Sequence, residues 1–316
     1  MKKILLGFSV LLFASQLMAQ ERYQNQITDS VAVTTYTYAK KGGDKLELDM
    51  YAPNNDNQSD RAVFLYVHGG GFSGGTKNSP EISAFCNKIA QHGYVAVSIN
   101  YRLIRKGTQS GFGCDCPVTE KLAAIDTAVY DLRSAVNFLK DNKVRFGIDP
   151  QKIILAGSSA GAETVLCEVF NTPKYTIDQA PYKYAGVVGM AGGISDVSKL
   201  TAETAIPALF FHGTCDQLVP YGSEPHRYCE KESAGYMIMN GSRTIAEKLE
   251  RLRKPFCLYT FCGEDHRIAE APMSEKFDEI MVFCYKWILH DSNKQMYSII
   301  PGDHDCDYPA NEECFD

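Results

Sequence analysis

The sequence predicts an α/β protein whose sheet is mainly parallel after an antiparallel start. Residues 31–39 (VAVTTYTYA) and 45–53 (KLELDMYAP) alternate apolar and polar side chains around Gly42 and Gly43, as a half-buried antiparallel pair does. Six later runs, at 62–67, 94–101, 152–157, 184–192, 208–213 and 256–263, are mostly apolar, the texture of strands covered on both faces. Between several of them lie helical patterns at 80–92, 122–141, 160–171, 243–253 and, last, 274–290. Strands alternating with helices build a parallel sheet with helices on its faces. In the second helical pattern Leu122, Ile125, Val129, Leu132, Val136 and Leu139 recur at steps of three and four, marking one core-facing stripe. Two long connections, 103–121 and 217–242, interrupt the alternation, and a polar tail follows Asp291.

Of the 316 residues, 45% are hydrophobic, which fits a globular domain with a substantial core. A formal charge of −6 at pH 7 with no basic block argues against nucleic acid or an anionic membrane as partner. The opening MKKILLGFSVLLFASQLMAQ has Lys2 and Lys3, an apolar run over 4–14 and a small Ala19. This is the layout of a secretory signal peptide, and the run is too short to span a bilayer. Cleavage is expected after Ala19, giving a periplasmic or secreted protein.

Eleven cysteines in an exported chain point to disulfides. Cys86, Cys167 and Cys284 fall inside amphipathic helical patterns and are expected as buried free thiols. Cys114, Cys116, Cys215, Cys229, Cys257, Cys262, Cys306 and Cys314 remain. Their pairing cannot be deduced from sequence; Cys215 with Cys229 and Cys306 with Cys314, which close short loops, are the first expectation. With no C-x-x-C and no H-E-x-x-H, neither a zinc site nor a thioredoxin-like site is expected.

The stretch IILAGSSAGAE, residues 153–163, carries the chemistry. Gly157-Ser158-Ser159-Ala160-Gly161 fits G-x-S-x-G at the point where an apolar strand gives way to a helix, the setting in which a nucleophile is held on a tight strained turn. Ser159 is the candidate nucleophile; Ser158 is expected to face away or to cap. His68-Gly69-Gly70-Gly71-Phe72 follows the strand at 62–67, and glycines there let backbone N–H groups turn toward a developing oxyanion. The N–H groups of Gly70, Gly71 and Ala160 are the expected oxyanion hole. Gly69, Gly71 and Gly74 also satisfy G-x-G-x-x-G, but the acid which a dinucleotide site needs after the next strand is replaced by Ser98, Ile99 and Asn100.

A serine nucleophile needs a base and an acid that orients the base. In a sheet of this kind they follow in the order nucleophile, acid, histidine. Asp216 in HGTCDQLVP follows the strand at 208–213, and His266 in CGEDHRI follows that at 256–263. Glu264 and Asp265 are weaker acid candidates, because adjacent residues seldom face each other. The other histidines are poorly placed: His68 lies in the glycine loop, His92 ends a helix, His212 is still in its strand, His226 is in a long loop, and His290 and His304 come at or beyond the last helix.

Together HGGGF (68–72), NYRL (100–103), DLRSAVNFL (131–139), AGSSAGA (156–162), HGTCDQLVP (212–220) and GEDH (263–266) resemble the α/β-hydrolase superfamily, in its carboxylesterase branch with an H-G-G-G loop. The likeness runs from about Lys45 to His290. It implies an α/β-hydrolase fold with a mostly parallel eight-stranded sheet flanked by helices, a site at the carboxyl ends of the strands, and ester hydrolysis through an acyl-enzyme without cofactor or metal. The exported, cysteine-rich form also resembles bacterial feruloyl and acetylxylan esterases, which implies a small-molecule or polysaccharide-borne ester as substrate. On this reading 1–19 is the leader, 20–291 the catalytic domain and 292–316 a C-terminal tail braced by disulfides, with 103–121 and 217–242 walling the acyl pocket. A serine peptidase of the same fold would need acidic residues from an added domain, and none is legible. A non-catalytic binding protein of this fold would be expected to lack a member of the triad, and all three are present.

Overall fold

The computed structural model describes residues 22–171 and 182–302 together with Cys306 and Cys314; the expected leader lies outside them. In chain order the elements are β1 (Val31–Lys41), β2 (Asp44–Pro53), β3 (Arg61–Val67), α1 (Pro80–Gln91), β4 (Val95–Ile99), α2 (Val118–Asp141), the single turn α3 (Lys143–Phe146), β5 (Ile148–Ser158) and α4 (Ala160–Phe170). There follow β6 (Gly186–Met190), β7 (Gly193–Ile194), β8 (Ala208–Gly213), β9 (Ser223–Pro225), β10 (Ile238–Gly241), α5 (Ser242–Arg251), β11 (Phe256–Phe261), α6 (Pro272–Glu275), α7 (Phe277–Phe283) and β12 (Gln295–Ile300). A π-helical stretch, Cys284–Leu289, continues α7.

The main sheet runs β1-β2-β4-β3-β5-β6-β8-β11-β12. The first two strands are antiparallel to each other, β2 is antiparallel to β4, and every pair from β4 to β12 is parallel. All eight expected strands are present, and β12 makes a ninth. It falls within the segment read as a tail, and its six residues alternate exposed and half-buried side chains as an edge strand does. A small second sheet, β7-β10-β9, forms partly within the 217–242 connection and was not expected.

Both faces of the sheet are covered. Helices α2, α4 and α5 bury residues such as Leu132, Leu166 and Leu249 on one face, and α1 and α7 bury Phe85 and Ile280 on the other. Strands covered in this way are mostly apolar, and β3, buried from Arg61 to Val67, is apolar from Ala62 on. The α2 stripe departs from expectation at its first member: Leu122 is 37% exposed, while the neighbouring Lys121 is fully buried. The helix begins at Val118, after Pro117, so its first turn packs under the 217–242 connection, where Lys121 finds polar partners.

The chain passes from β3 out to β4 and then returns to place β5 on the other side of β3. At such a reversal the loops leaving the two strands diverge and open a crevice outside their carboxyl ends. His68–Phe72 leaves β3 there, and Ser159 leaves β5.

Three disulfides correct the expected pairing: Cys114–Cys229, Cys215–Cys306 and Cys262–Cys314, with Cα separations of 5.3, 5.2 and 5.8 Å. Short spacing misled because chain folding, not loop length, sets which cysteines meet. Cys114 reaches Cys229 because the two long connections pack on each other, while Cys306 and Cys314 bond to cysteines that directly follow β8 and β11. Cys116 and Cys257 join Cys86, Cys167 and Cys284 as buried free thiols. No helix among the described residues is long and apolar enough to cross a membrane.

The NYRL and DLR motifs meet in one buried carboxylate. Asp131 on α2 is fully buried and accepts hydrogen bonds from the backbone N–H, Nε and Nη2 of Arg102 at 2.8–3.1 Å and from Lys41 Nζ at 3.1 Å. It thereby ties α2 to the end of β1 and to the chain leaving β4. Removing one partner of a buried pair typically costs about 3–5 kcal/mol, and less here because both cations touch solvent. Asp131→Ala should lower unfolding stability by about 2–3 kcal/mol, read as a shift of the urea midpoint at unchanged slope.

Candidate active site

Ser159 sits between β5 and α4 with φ 49° and ψ −122°. A non-glycine residue held at positive φ is strained by about 1–3 kcal/mol, and three glycines make room for the turn. A Cβ on Gly161 would lie 2.0 Å from the Val67 carbonyl oxygen, one on Gly157 would lie 2.4 Å from the backbone of Gly161, and one on Gly69 would lie 3.2 Å from Ser159 Cβ. The Ser159 N–H donates to the Met190 carbonyl at 2.9 Å, and its own carbonyl accepts from Glu163 N–H at 2.8 Å. The turn is thus held by β6 on one side and by the first turn of α4 on the other. Ser158 is buried beside it, 3% exposed.

The structure brings Ser159, His266 and Asp216 together from the ends of β5, β11 and β8. His266 Nε2 is 2.8 Å from Ser159 Oγ and its Nδ1 is 2.7 Å from Asp216 Oδ2. A carboxylate can only accept, so Nδ1 carries the proton and Nε2 is left to accept from the serine hydroxyl. Glu264 and Asp265 do not enter this chain: both pair with Arg267, and Asp265 caps the turn that begins at His266.

Asp216 is fully buried. Burial would raise its pKa, but the hydrogen bonds from His212 and His266 outweigh that and hold it well below the usual carboxylate range. The backbone N–H groups of Leu218 and Val219 occupy its Oδ1 at 2.8 and 2.9 Å. His212 is a contact that sequence reasoning missed. Its Nε2 lies 3.4 Å from Asp216 Oδ2 and 3.0 Å from the Val219 carbonyl, and its Nδ1 lies 2.7 Å from Ser242 Oγ. Because the Val219 oxygen only accepts, Nε2 is the protonated nitrogen. The signal was available, since alternation along β8 turns His212 to one face and Asp216 lies four residues on.

The glycine loop lies against the serine. Gly70 and Gly71 have φ of 111° and 58°, and a Cβ on Gly70 would come within 2.3 Å of the Gly74 carbonyl oxygen. Gly69, Gly70 and Gly71 line, with Ser159 and His266, an open cleft of about 560 Å³. Ala160 opens α4, where N–H groups without helical partners face outward. His68 is turned away: it stacks on Tyr101 at 4.5 Å with Nδ1 2.7 Å from the Gly69 carbonyl, and burial depresses its pKa.

Both long connections contribute to the cleft, 103–121 through Phe112 and Gly113 and 217–242 through Gln217, Leu218 and Arg227. Phe112 packs on Phe72 at 4.7 Å. Buried Arg105 holds the first connection in shape, donating to the Gly111 carbonyl and Ser110 Oγ and pairing with Glu120.

The family model described as BD-FAE matches residues 48–191, which include the glycine loop and Ser159 but neither Asp216 nor His266. The chain is 34% identical over 123 residues to a phenmedipham hydrolase of Pseudarthrobacter oxydans, covering 39% of this chain and 22% of that one. It is 32% identical over 162 residues to a chlorogenic acid esterase of Aspergillus niger, covering 48% and 30% respectively. The matched part thus spans less than a third of either relative. Thermogutta terrifontis esterase 2, in a form phosphorylated by paraoxon, has the same fold, with a TM-score of 0.58 over 78% of this chain and 91% of that chain at 19% identity.

Gly161→Ala should destabilise the protein by about 3 kcal/mol or more, because the clash is with the backbone of the central strand β3 and no side chain can yield. A urea midpoint within error of wild type would show that the turn relaxes more freely than these distances allow.

Proposed function

We propose that this chain, which has the α/β-hydrolase fold and resembles the carboxylesterase branch, hydrolyses carboxylic esters through an acyl-enzyme. One observation carries the reading: a single imidazole bridges a strained serine and a buried carboxylate beside the glycine loop. Ser159 Oγ attacks the ester carbonyl carbon as His266 Nε2 takes its proton. The resulting oxyanion accepts hydrogen bonds from the N–H groups of Gly70, Gly71 and Ala160, fixed donors that need no reorganisation as charge develops. The intermediate collapses, and the alcohol leaves with the proton from Nε2. A water molecule then gives a proton to Nε2 and attacks the acyl carbonyl, and Ser159 departs as its hydroxyl. Asp216, acceptor-only when ionised, keeps the imidazole in the required tautomer and stabilises its charged form. Chain and site call for no metal or organic cofactor in this sequence of steps.

The substrate class we favour is an acyl ester of plant cell-wall carbohydrate, feruloyl or acetyl, met outside the cytoplasm. The open cleft, which could admit a polymer-borne ester, the leader-like start, the three disulfides and the likeness to a chlorogenic acid esterase support it. Ser159→Ala should lower turnover by about three or more orders of magnitude. Initial rates on methyl ferulate and on acetylated xylo-oligosaccharide, each with the Ser159→Ala rate subtracted, then separate the two acyl groups. Retention of more than about a tenth of wild-type turnover in that variant would remove Ser159 from its role.

The acid limb of the pH profile should reflect one ionisation. Protonation of His266 removes the base, so kcat/KM falls as pH falls; Asp216, held below its ordinary value of 3.8, stays ionised across that range. The logarithm of kcat/KM should therefore fall with unit slope down to about pH 4. A slope of two in that range would mean that Asp216 protonates with the histidine.

A further inference from the structure

We propose that Arg227 is an anion-recognition residue of the cleft, selecting esters that carry a carboxylate on the acyl or the alcohol side. The inference rests on the ester-hydrolase reading and extends it to substrate charge.

Arg227 lines the cleft that holds Ser159 and His266, and its Nη2 would lie 3.9 Å from a Cβ on Gly71. Its Nε is buried without a hydrogen-bond partner, and among the described residues no carboxylate lies within ion-pair distance of it. The acids lining the same cleft are Asp265, which pairs with Arg267 at 2.9 Å, and Glu270, which is exposed at its edge. Behind Arg227 lie two further basic side chains, and they leave it as the basic group turned to the cleft from this cluster. Lys121 Nζ is fully buried against His226 Nδ1 at 3.3 Å and the Gly235 carbonyl at 2.8 Å. Burial depresses the pKa of both Lys121 and His226, and the Arg227 charge depresses them further. Glu163, 3.3 Å from His226 Nε2, is the one carboxylate in contact with this group among the described residues. A guanidinium partly withdrawn from water and lacking an anion is costly to hold. It also presents a planar fork of donors that matches a carboxylate.

The chain holds Arg227 in place against its own preference. Arg227 and Tyr228 have φ of 59° and 49°. His226 on one side is locked between Lys121 and Glu163, Cys229 on the other is bonded to Cys114, and the Arg227 N–H donates to the Leu218 carbonyl at 3.1 Å. Strain kept at a residue facing a cleft points to use of its side chain there.

The test compares wild type with Arg227→Gln and Arg227→Lys on three esters: 4-nitrophenyl butyrate, which is neutral, 4-nitrophenyl hemisuccinate, with an acyl-side carboxylate, and 4-acetoxybenzoate, with an alcohol-side carboxylate. Each anionic ester is compared with a neutral counterpart, the third with its methyl ester. The expected result is that one anionic-to-neutral ratio of kcat/KM falls by roughly tenfold or more in Arg227→Gln, chiefly through KM, and is partly restored in Arg227→Lys. Which ratio falls identifies the side that bears the carboxylate. Ratios unchanged in Arg227→Gln, or anionic and neutral rates falling together, overturn the proposal. Protection of Ser159 from a fluorophosphonate by succinate or 4-hydroxybenzoate gives a readout independent of turnover: protection in wild type that is lost in Arg227→Gln supports the anion site even where no ester is hydrolysed. That last outcome would sink the ester-hydrolase reading alone, and unaltered ratios with the esters still hydrolysed would sink the anion site alone.

Discussion

The positive φ of Ser159 is the constraint on which the rest of the molecule depends. A strand that ends and a helix that begins within one residue leave the intervening side chain projecting above the sheet, but the backbone reaches that shape only under strain. The strain persists because neighbours on every side exclude relaxation: the β3 backbone lies against Gly161, the Met190 carbonyl holds the Ser159 N–H, and α4 begins at once. Those contacts require β3 and β6 on either side of β5, which is the order observed. The sheet arrangement and the site are therefore one requirement. The same crossover that brackets β5 opens the crevice into which the serine projects.

Around this point the polar groups follow from burial. A carboxylate with no exposure must have every lone pair used, and Asp216 has two backbone N–H groups on one oxygen and two imidazoles on the other. His212 adds a second N–H beside the same oxygen, so part of the support for Asp216 does not come from His266. The disulfides act at the same level. Cys215 directly precedes Asp216, and Cys262 lies four residues before His266; each is tied to the C-terminal segment. Together with β12 along the edge of β11, these ties link the last part of the chain to the loops that carry Asp216 and His266.

Much of this was legible in the sequence for a definite reason. Strands buried on both faces are mostly apolar, so six of the nine announced themselves in that way, β1 and β2 showed instead by alternation around Gly42 and Gly43, and the order of serine, aspartate and histidine followed from which strand each residue trails. The ninth was not read because an edge strand is only half covered: Tyr297 and Ile299 face outward, and a polar segment follows them. Alternation in QMYSII was the available signal. Long-range pairings were beyond reach, since the bridges span separations of 115, 91 and 52 residues and loop length says nothing about which distant segments pack. Lys121 was missed for a different reason, because periodicity marks where apolar residues belong and is silent on a buried charge whose partners come from another loop.

That buried charge shows how the two long connections become one wall. Lys121 belongs to α2, His226 to the loop after β9, and Glu163 to the first turn of α4, so the run from Lys121 through His226 to Glu163 crosses from one connection through the other to the turn that holds Ser159. A lysine and a histidine fully removed from water are poor choices for stability alone, since apolar residues of similar volume would often serve as well or better. What the polar cluster supplies is position: the hydrogen bonds of Lys121 to His226 and to the Gly235 carbonyl have direction, whereas apolar packing permits the loop to slide. With the Cys114–Cys229 bond closing the far side, the segment 226–229 is held at both ends, and the strained Arg227 backbone between them is fixed beside the cleft.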